Sequence, residues 1–178
     1  MKTLILNADA QPLSILPLSI VDWEEAIKLV TLNRVDIIHE YDFEVHSPST
    51  TMKVPSVLML KDYIKYDKSI KFSKYNLYLR DLFECQYCGV KFPSHHLTLD
   101  HVIPRFLGGK TTWNNSVASC EECNIKKANK TNIKPKINPY KPNYYDLINK
   151  RKQFPVYIHD KIWEKYLDWN ENLIMEVN

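Results

Sequence analysis

The sequence predicts an α+β fold, and three observations carry that prediction. Apolar runs of strand length recur at residues 3–6, 35–39, 43–46 and 54–60. Two stretches, 23–30 and 160–172, repeat their apolar residues at helical spacing. Between these stretches four cysteines form two Cys-x-x-Cys pairs, Cys85 with Cys88 and Cys120 with Cys123, and no cysteine occurs elsewhere.

The 178 residues suffice for one domain with an appendage, or for two small lobes. Thr3–Leu6 reads as a short buried strand, followed by a turn rich in Asn7, Asp9, Gln11 and Pro12. Asp22 predicts a helix N-cap with Glu25 as its capping-box partner, and Trp23, Ala26, Ile27 and Val30 then face a core. Val35–His39 and Phe43–His46 read as two strands around an acidic turn. After the Ser/Pro/Thr cluster at 47–51, Val54–Leu60 reads as a further strand. Residues 61–82 read as a connector. After Thr131 the chain turns Lys-, Asn- and Pro-rich, as an extended arm does, and Ile162, Trp163, Tyr166, Leu167 and Trp169 predict a C-terminal helix that packs on the body. The division that follows is an N-terminal α/β lobe over 1–80, a cysteine-framed core over 81–133, and a basic arm with a helix over 134–178.

Net charge is only +3, but its distribution is uneven. Asn124 to Lys152 holds nine Lys and Arg against one acidic residue, Asp146. Such a stretch is either a solvated lysine-rich face or an electrostatic footprint for a polyanion, phosphate backbones first. No secretory signal is visible and no apolar run approaches the roughly 20 residues that span a bilayer. The expected setting is therefore cytoplasmic and reducing, without a membrane, where paired cysteines point to a metal before disulfides.

Two residues between ligands let both thiolates of a pair face one ion, and two pairs complete a closed tetrahedral shell. Soft sulfur and closed geometry favour a structural zinc at Cys85, Cys88, Cys120 and Cys123. The 31 residues between the pairs exceed the spacing of a common zinc ribbon. They carry Asp100 beside His101 on a short strand: a hard oxygen ligand next to a base that titrates near neutrality. Neighbours on a strand point to opposite faces, so both serve one site only if the strand ends there, which Pro104 permits. Asn115 lies beyond the Gly108-Gly109 loop. Asn124 follows the last cysteine and is expected to open a helix through Lys126, Lys127 and Asn129.

The order Cys-x-x-Cys, Leu-Thr-Leu-Asp-His-Val-Ile-Pro-Arg, Gly-Gly, Thr-Trp-x-Asn, Cys-x-x-Cys-Asn-x-x-Lys resembles the HNH endonucleases with a ββα-metal motif, closely over residues 83–131. Upstream, TLILNADAQPLSILPL and VPSVLML look similar to the N-terminal part of bacterial and phage HNH proteins. The resemblance implies a central ββα core with a structural zinc held by the four cysteines. It implies His101 as the general base, and Asp100 and Asn124 as ligands of one catalytic Mg²⁺ or Mn²⁺. It also implies that Asn115 pins the loop and orients the histidine. Cleavage would leave 5′-phosphate and 3′-hydroxyl ends. Asn124 stands where the family often has His, and Phe106-Leu107 stand where many relatives have Ser-Arg, which removes a phosphate contact. Arg105, Lys126, Lys127 and Lys130 are the expected phosphate contacts, each with a solvated surface charge as the alternative. His95 and His96 read as hairpin residues.

The function expected is that of a metal-dependent endonuclease acting on DNA, double-stranded first. A homodimer would make a double-strand cut easier. The alternatives are a zinc-stabilised module that binds DNA without cutting, and a zinc-built protein-interaction domain.

Overall fold

A computed structural model describes residues 1–47 and 51–177. Part of the predicted Ser/Pro/Thr cluster, residues 48–50, lies outside the described residues. In chain order the elements are β1 (Lys2–Leu6), β2 (Ile20–Asp22), α1 (Trp23–Thr31), β3 (Val35–His46), β4 (Thr51–Leu60), α2 (Lys74–Arg80), β5 (Leu97–His101), β6 (Ser116–Cys120), α3 (Glu121–Lys127), α4 (Tyr144–Arg151), β7 (Val156–Ile158) and β8 (Ile174–Glu176). The fold is mixed α+β. It divides into two compact units, Met1–Asp67 with Lys152–Asn178, and Lys68–Arg151. The boundaries read from sequence, at 80 and 133, thus differ from those of the structure: α2 and α4 both pack within the second unit.

The first unit is a four-stranded sheet in the order β2-β1-β4-β3, with β1 and β4 parallel and the outer pairs antiparallel. Alternation puts Leu4, Leu6 and Val57 on one face, where Val156, Ile158, Trp163 and Leu167 of the returning chain cover them. Leu58 turns to the other face, against Ala26 of α1 and Val35. Two strands were expected over 35–46, and one irregular strand is found. Pro55 of β4, which has no N–H to give a ladder, pairs with Glu40 where the register of β3 slips, so bulges absorb what read as a turn. Asp22 does precede α1, but its carboxylate makes no cap; it pairs with Lys2 at 2.7 Å. Instead of a C-terminal α-helix the chain forms 3₁₀ turns at Lys161–Tyr166 and Glu171–Leu173. The Trp163 indole N–H donates to Ser56 O at 3.0 Å, and Asp160 caps Ile162 N at 3.0 Å. These anchors, and the pairing of β8 with β7, hold the segment in short turns.

In the second unit the expected connector contains α2. Ser73 caps it by accepting from Asn76 N at 3.1 Å, and Phe72 and Leu77 flank that cap within one cluster with Tyr78, Leu97, Trp113 and Ala118. β5 and β6 form an antiparallel pair, Leu97 opposite Cys120 and His101 opposite Ser116. α3 follows β6 directly and packs on both strands. It opens at Glu121, not at Asn124, because Cys120 already holds the N-cap position. The expected extended arm contains α4, with Leu147 and Ile148 buried.

Candidate active site and metal centre

The two cysteine pairs arise on different local structures. Cys85 and Cys88 sit on a tight turn in which Gly89 N–H donates to Cys85 O at 2.8 Å, and Gly89 has φ +78°, a conformation glycine adopts without strain. Cys120 ends β6 and Cys123 lies one turn into α3. Gln86 N–H donates to Ala118 O at 2.9 Å and binds the turn to β6. The four sulfurs fall within 4.8 Å of one another. A tetrahedral zinc with bonds of about 2.3 Å sets its sulfurs about 3.8 Å apart, so the cluster fits such an ion after small adjustment. Crowding has an electrostatic consequence. Burial and hydrogen bonding to Cys120 push the Cys123 thiol up to about 12. Burial also opposes ionisation of Cys85, yet backbone N–H groups bring that thiol down to about 6. Four thiolates at this spacing call for a divalent cation to neutralise them.

Beyond the clamp, Leu99, Asp100, His101, Pro104, Arg105, Asn124, Ala128 and Asn129 line a cleft of about 340 Å³. Asp100 and His101 share it because β5 ends at His101 and the chain then bends toward Pro104. Asp100 is buried. Its Oδ2 lies 2.9 Å from Lys127 Nζ, and it accepts from Tyr87 Oη at 2.5 Å. Lys127 Nζ also donates to His101 O at 2.8 Å. Burial, then the Arg105 charge, holds the His101 imidazole below its usual 6.5, while Asp100 pulls the other way. His101 Nε2 lies 2.8 Å from Thr111 Oγ1, which also accepts from Arg105 Nη2 at 3.2 Å. Asn124 Nδ2 donates to Thr98 Oγ1 at 3.0 Å, which turns its amide oxygen away from Thr98.

Residues 3–68 match the model of the HNH endonuclease-associated N-terminal domain, and residues 85–136 match that of the HNH endonuclease. Together the two matches support assigning the chain to the HNH endonuclease family. No curated protein matches it. An HNH endonuclease domain implies nuclease chemistry on nucleic acid, DNA foremost. Among the described residues no helix is long and apolar enough to cross a membrane.

Within the stretch that matches the HNH endonuclease model, the cleft brings together Asp100, His101, Arg105 and Asn124. Asn115 bonds to two points of the loop: Ile103 N–H donates to its Oδ1 at 2.8 Å, and its Nδ2 donates to Ile103 O at 3.1 Å and Lys110 O at 3.0 Å. The hydrogen-bond partner of the histidine side chain is Thr111, not Asn115. Lys126 and Lys130 are exposed, as phosphate contacts must be. Lys127 is not: it is 1% exposed and bound to Asp100, so the basic run conceals one internal cation. His95 and His96 form an exposed pair with mutually tilted rings on a short turn before β5. Sequence reasoning missed Tyr87, Thr98 and Thr111. Only Tyr87 carried a signal, as an aromatic ring between the two cysteines of one pair.

Proposed function

We propose that this protein is a metal-dependent endonuclease that hydrolyses DNA phosphodiester bonds in the cleft of Asp100, His101 and Asn124. The observation that carries the reading is the meeting of a carboxylate, an imidazole and a side-chain amide on one small cleft, with an arginine at its rim. A zinc ion held by Cys85, Cys88, Cys120 and Cys123 would fix the turn, β6 and α3 against one another.

The remaining donors fit a small hard cation such as Mg²⁺ or Mn²⁺. Tyr87 and Lys127 occupy Oδ2 of Asp100, which leaves Oδ1, and the Asn124 amide oxygen faces away from Thr98. Magnesium keeps several waters and needs few protein ligands, so one carboxylate and one amide suffice. When bound, the cation would neutralise charge on the phosphoryl oxygens and on the leaving alkoxide. His101 takes the proton of the attacking water. In the tautomer whose Nε2 donates to Thr111, Nδ1 is the basic nitrogen, and the lowered imidazole pKa favours the unprotonated ring at neutral pH. Arg105, Lys126 and Lys130 position the backbone of the substrate.

A plasmid-nicking assay with Mg²⁺ tests this. Wild type cleaves, and His101→Ala is slower by roughly 10²–10⁴. A second reading, a zinc-held module that binds DNA without cutting, is favoured by one observation: Asp100 already has a buried ammonium partner. Equal lack of cleavage by both proteins, with DNA binding retained, selects that reading.

A further inference from the structure

Next in the chain to Pro104 and Arg105, which line the cleft, stand apolar residues that the proposed chemistry does not use. Phe106 is 67% exposed, and Leu107 and Ile103 are each 53% exposed. None of the three belongs to a core cluster of the described residues. Single exposed hydrophobic residues are ordinary on any surface. Three within five residues, on a turn that cannot fold them inward, are not.

The turn is braced from behind. Pro104, at its start, is buried and lines the cleft. Leu107 and Gly109 N–H both donate to Pro104 O, at 3.0 and 3.1 Å. Gly108 takes φ +86°, and a Cβ on Gly109 would stand 1.8 Å from Ile103 O, so the backbone closes tightly there. Asn115 holds both ends of the loop through Ile103 and Lys110. Phe106 is therefore presented on a fixed tip, one residue from an arginine that lines the cleft.

The charges around the tip select its occupant. Arg105 and Lys110 flank it, and both are exposed. A two-fold contact between copies of this chain would bring these cations toward their own counterparts. A DNA strand supplies phosphates for the cations and flat apolar surface, the base, beside them. The geometry points to Phe106, supported by Leu107 and Ile103, as a wedge that packs against a base next to the phosphate in the cleft. This rests on the reading of the cleft as a DNA site. Wedges of this kind insert between base steps or stack on an unpaired base.

The test is a fluorescence-anisotropy titration of a labelled mixed-sequence duplex with full-length, zinc-loaded His101→Ala protein, whose slowed cleavage leaves the duplex intact during the titration. Adding Phe106→Ala should weaken binding about tenfold, the scale of one lost base–aromatic stack. The slope of log K against log salt should stay unchanged, because no phosphate contact is lost. Phe106→Trp should restore affinity to within about twofold of the parent, since a larger ring stacks at least as well. Equal affinity for Phe106→Ala, or a changed salt slope, overturns the inference. So does sedimentation in which the parent is a dimer that Phe106→Ala splits, which would make a second copy the occupant. Failure of the parent to bind DNA at all would instead remove the nuclease reading itself.

Discussion

In the first unit the large, fully buried side chains are Leu4, Leu6, Leu58, Ile158 and Trp163. In the second, Arg80 and Lys127 stand among them, with Asp81, Asp100, Gln86 and Asn115 also buried. The first unit follows the ordinary rule that apolar area drives burial. The second has one modest apolar cluster and depends on fully partnered charges. Arg80 shows how complete the partnering is. Its guanidinium grips both oxygens of Asp81 at 2.7 and 3.1 Å and donates to the carbonyls of Trp113, Tyr140 and Ser116 at 2.8–2.9 Å. Asp81 Oδ2 in turn accepts from Ala118 N–H at 2.8 Å. Burying apolar area tolerates small shifts, whereas a buried ion pair demands fixed partners. The stiffer solution sits in the unit that carries Asp100 and His101.

The contrast breaks most visibly on loss of metal. Chelation, or Cys120→Ser, should abolish amide-exchange protection across 68–151 while β1 and β4 keep theirs, since binding of a structural zinc contributes on the order of 10–16 kcal/mol to folding. Equal loss in both units would show that their stabilities are not separate. Next in size is Arg80→Met. It leaves Asp81 buried without its partner and should cost about 3–5 kcal/mol in urea unfolding of the zinc-loaded chain. Adding Asp81→Asn should recover part of that cost; no recovery would mean that the carbonyl contacts, not the ion pair, dominate.

The smallest effect concerns pH in the first unit. Burial, with the nearby N-terminus and Lys2, holds His159 below the usual 6.5. The unfolded chain then takes up this proton first as pH falls. The stability that neutral His159 supplies is present above about 6.5 and is lost as pH drops toward the folded value. Urea melts read by tryptophan fluorescence should show it, because Trp23, Trp163 and Trp169 all lie in this unit. His159→Gln should flatten the dependence between about pH 7.5 and 5.5; an unchanged slope would assign it to another group.

Much of this was legible in the sequence for reasons of range. β1, β4 and β5 declare themselves in five or ten residues, and the Cys-x-x-Cys pairs in four. α2 was hidden by the Lys- and Tyr-rich run around it, although Phe72-Ser73 before Asn76-Leu77 carries a cap and a staple. The start of α3 was misread because a cysteine is a poor cap by itself, and Cys120 makes no side-chain cap to mark the position. Lys127 was misread because a run of lysines looks alike from outside, and only the fold tells which one meets Asp100. Thr111 had no pattern to betray it: it reaches His101 across a loop whose path depends on Asn115 and two glycines.

The discontinuity of the first unit has a bearing on synthesis. Residues 68–151 emerge from the ribosome whole and can bring their four cysteines together at once. The unit that precedes them in sequence must wait for Val156, Ile158 and Trp163 to cover Leu4 and Leu6. During translation, then, the half that begins first is sealed last. A pause or stop before residue 152 would leave a finished cysteine-framed unit attached to an open, sticky sheet.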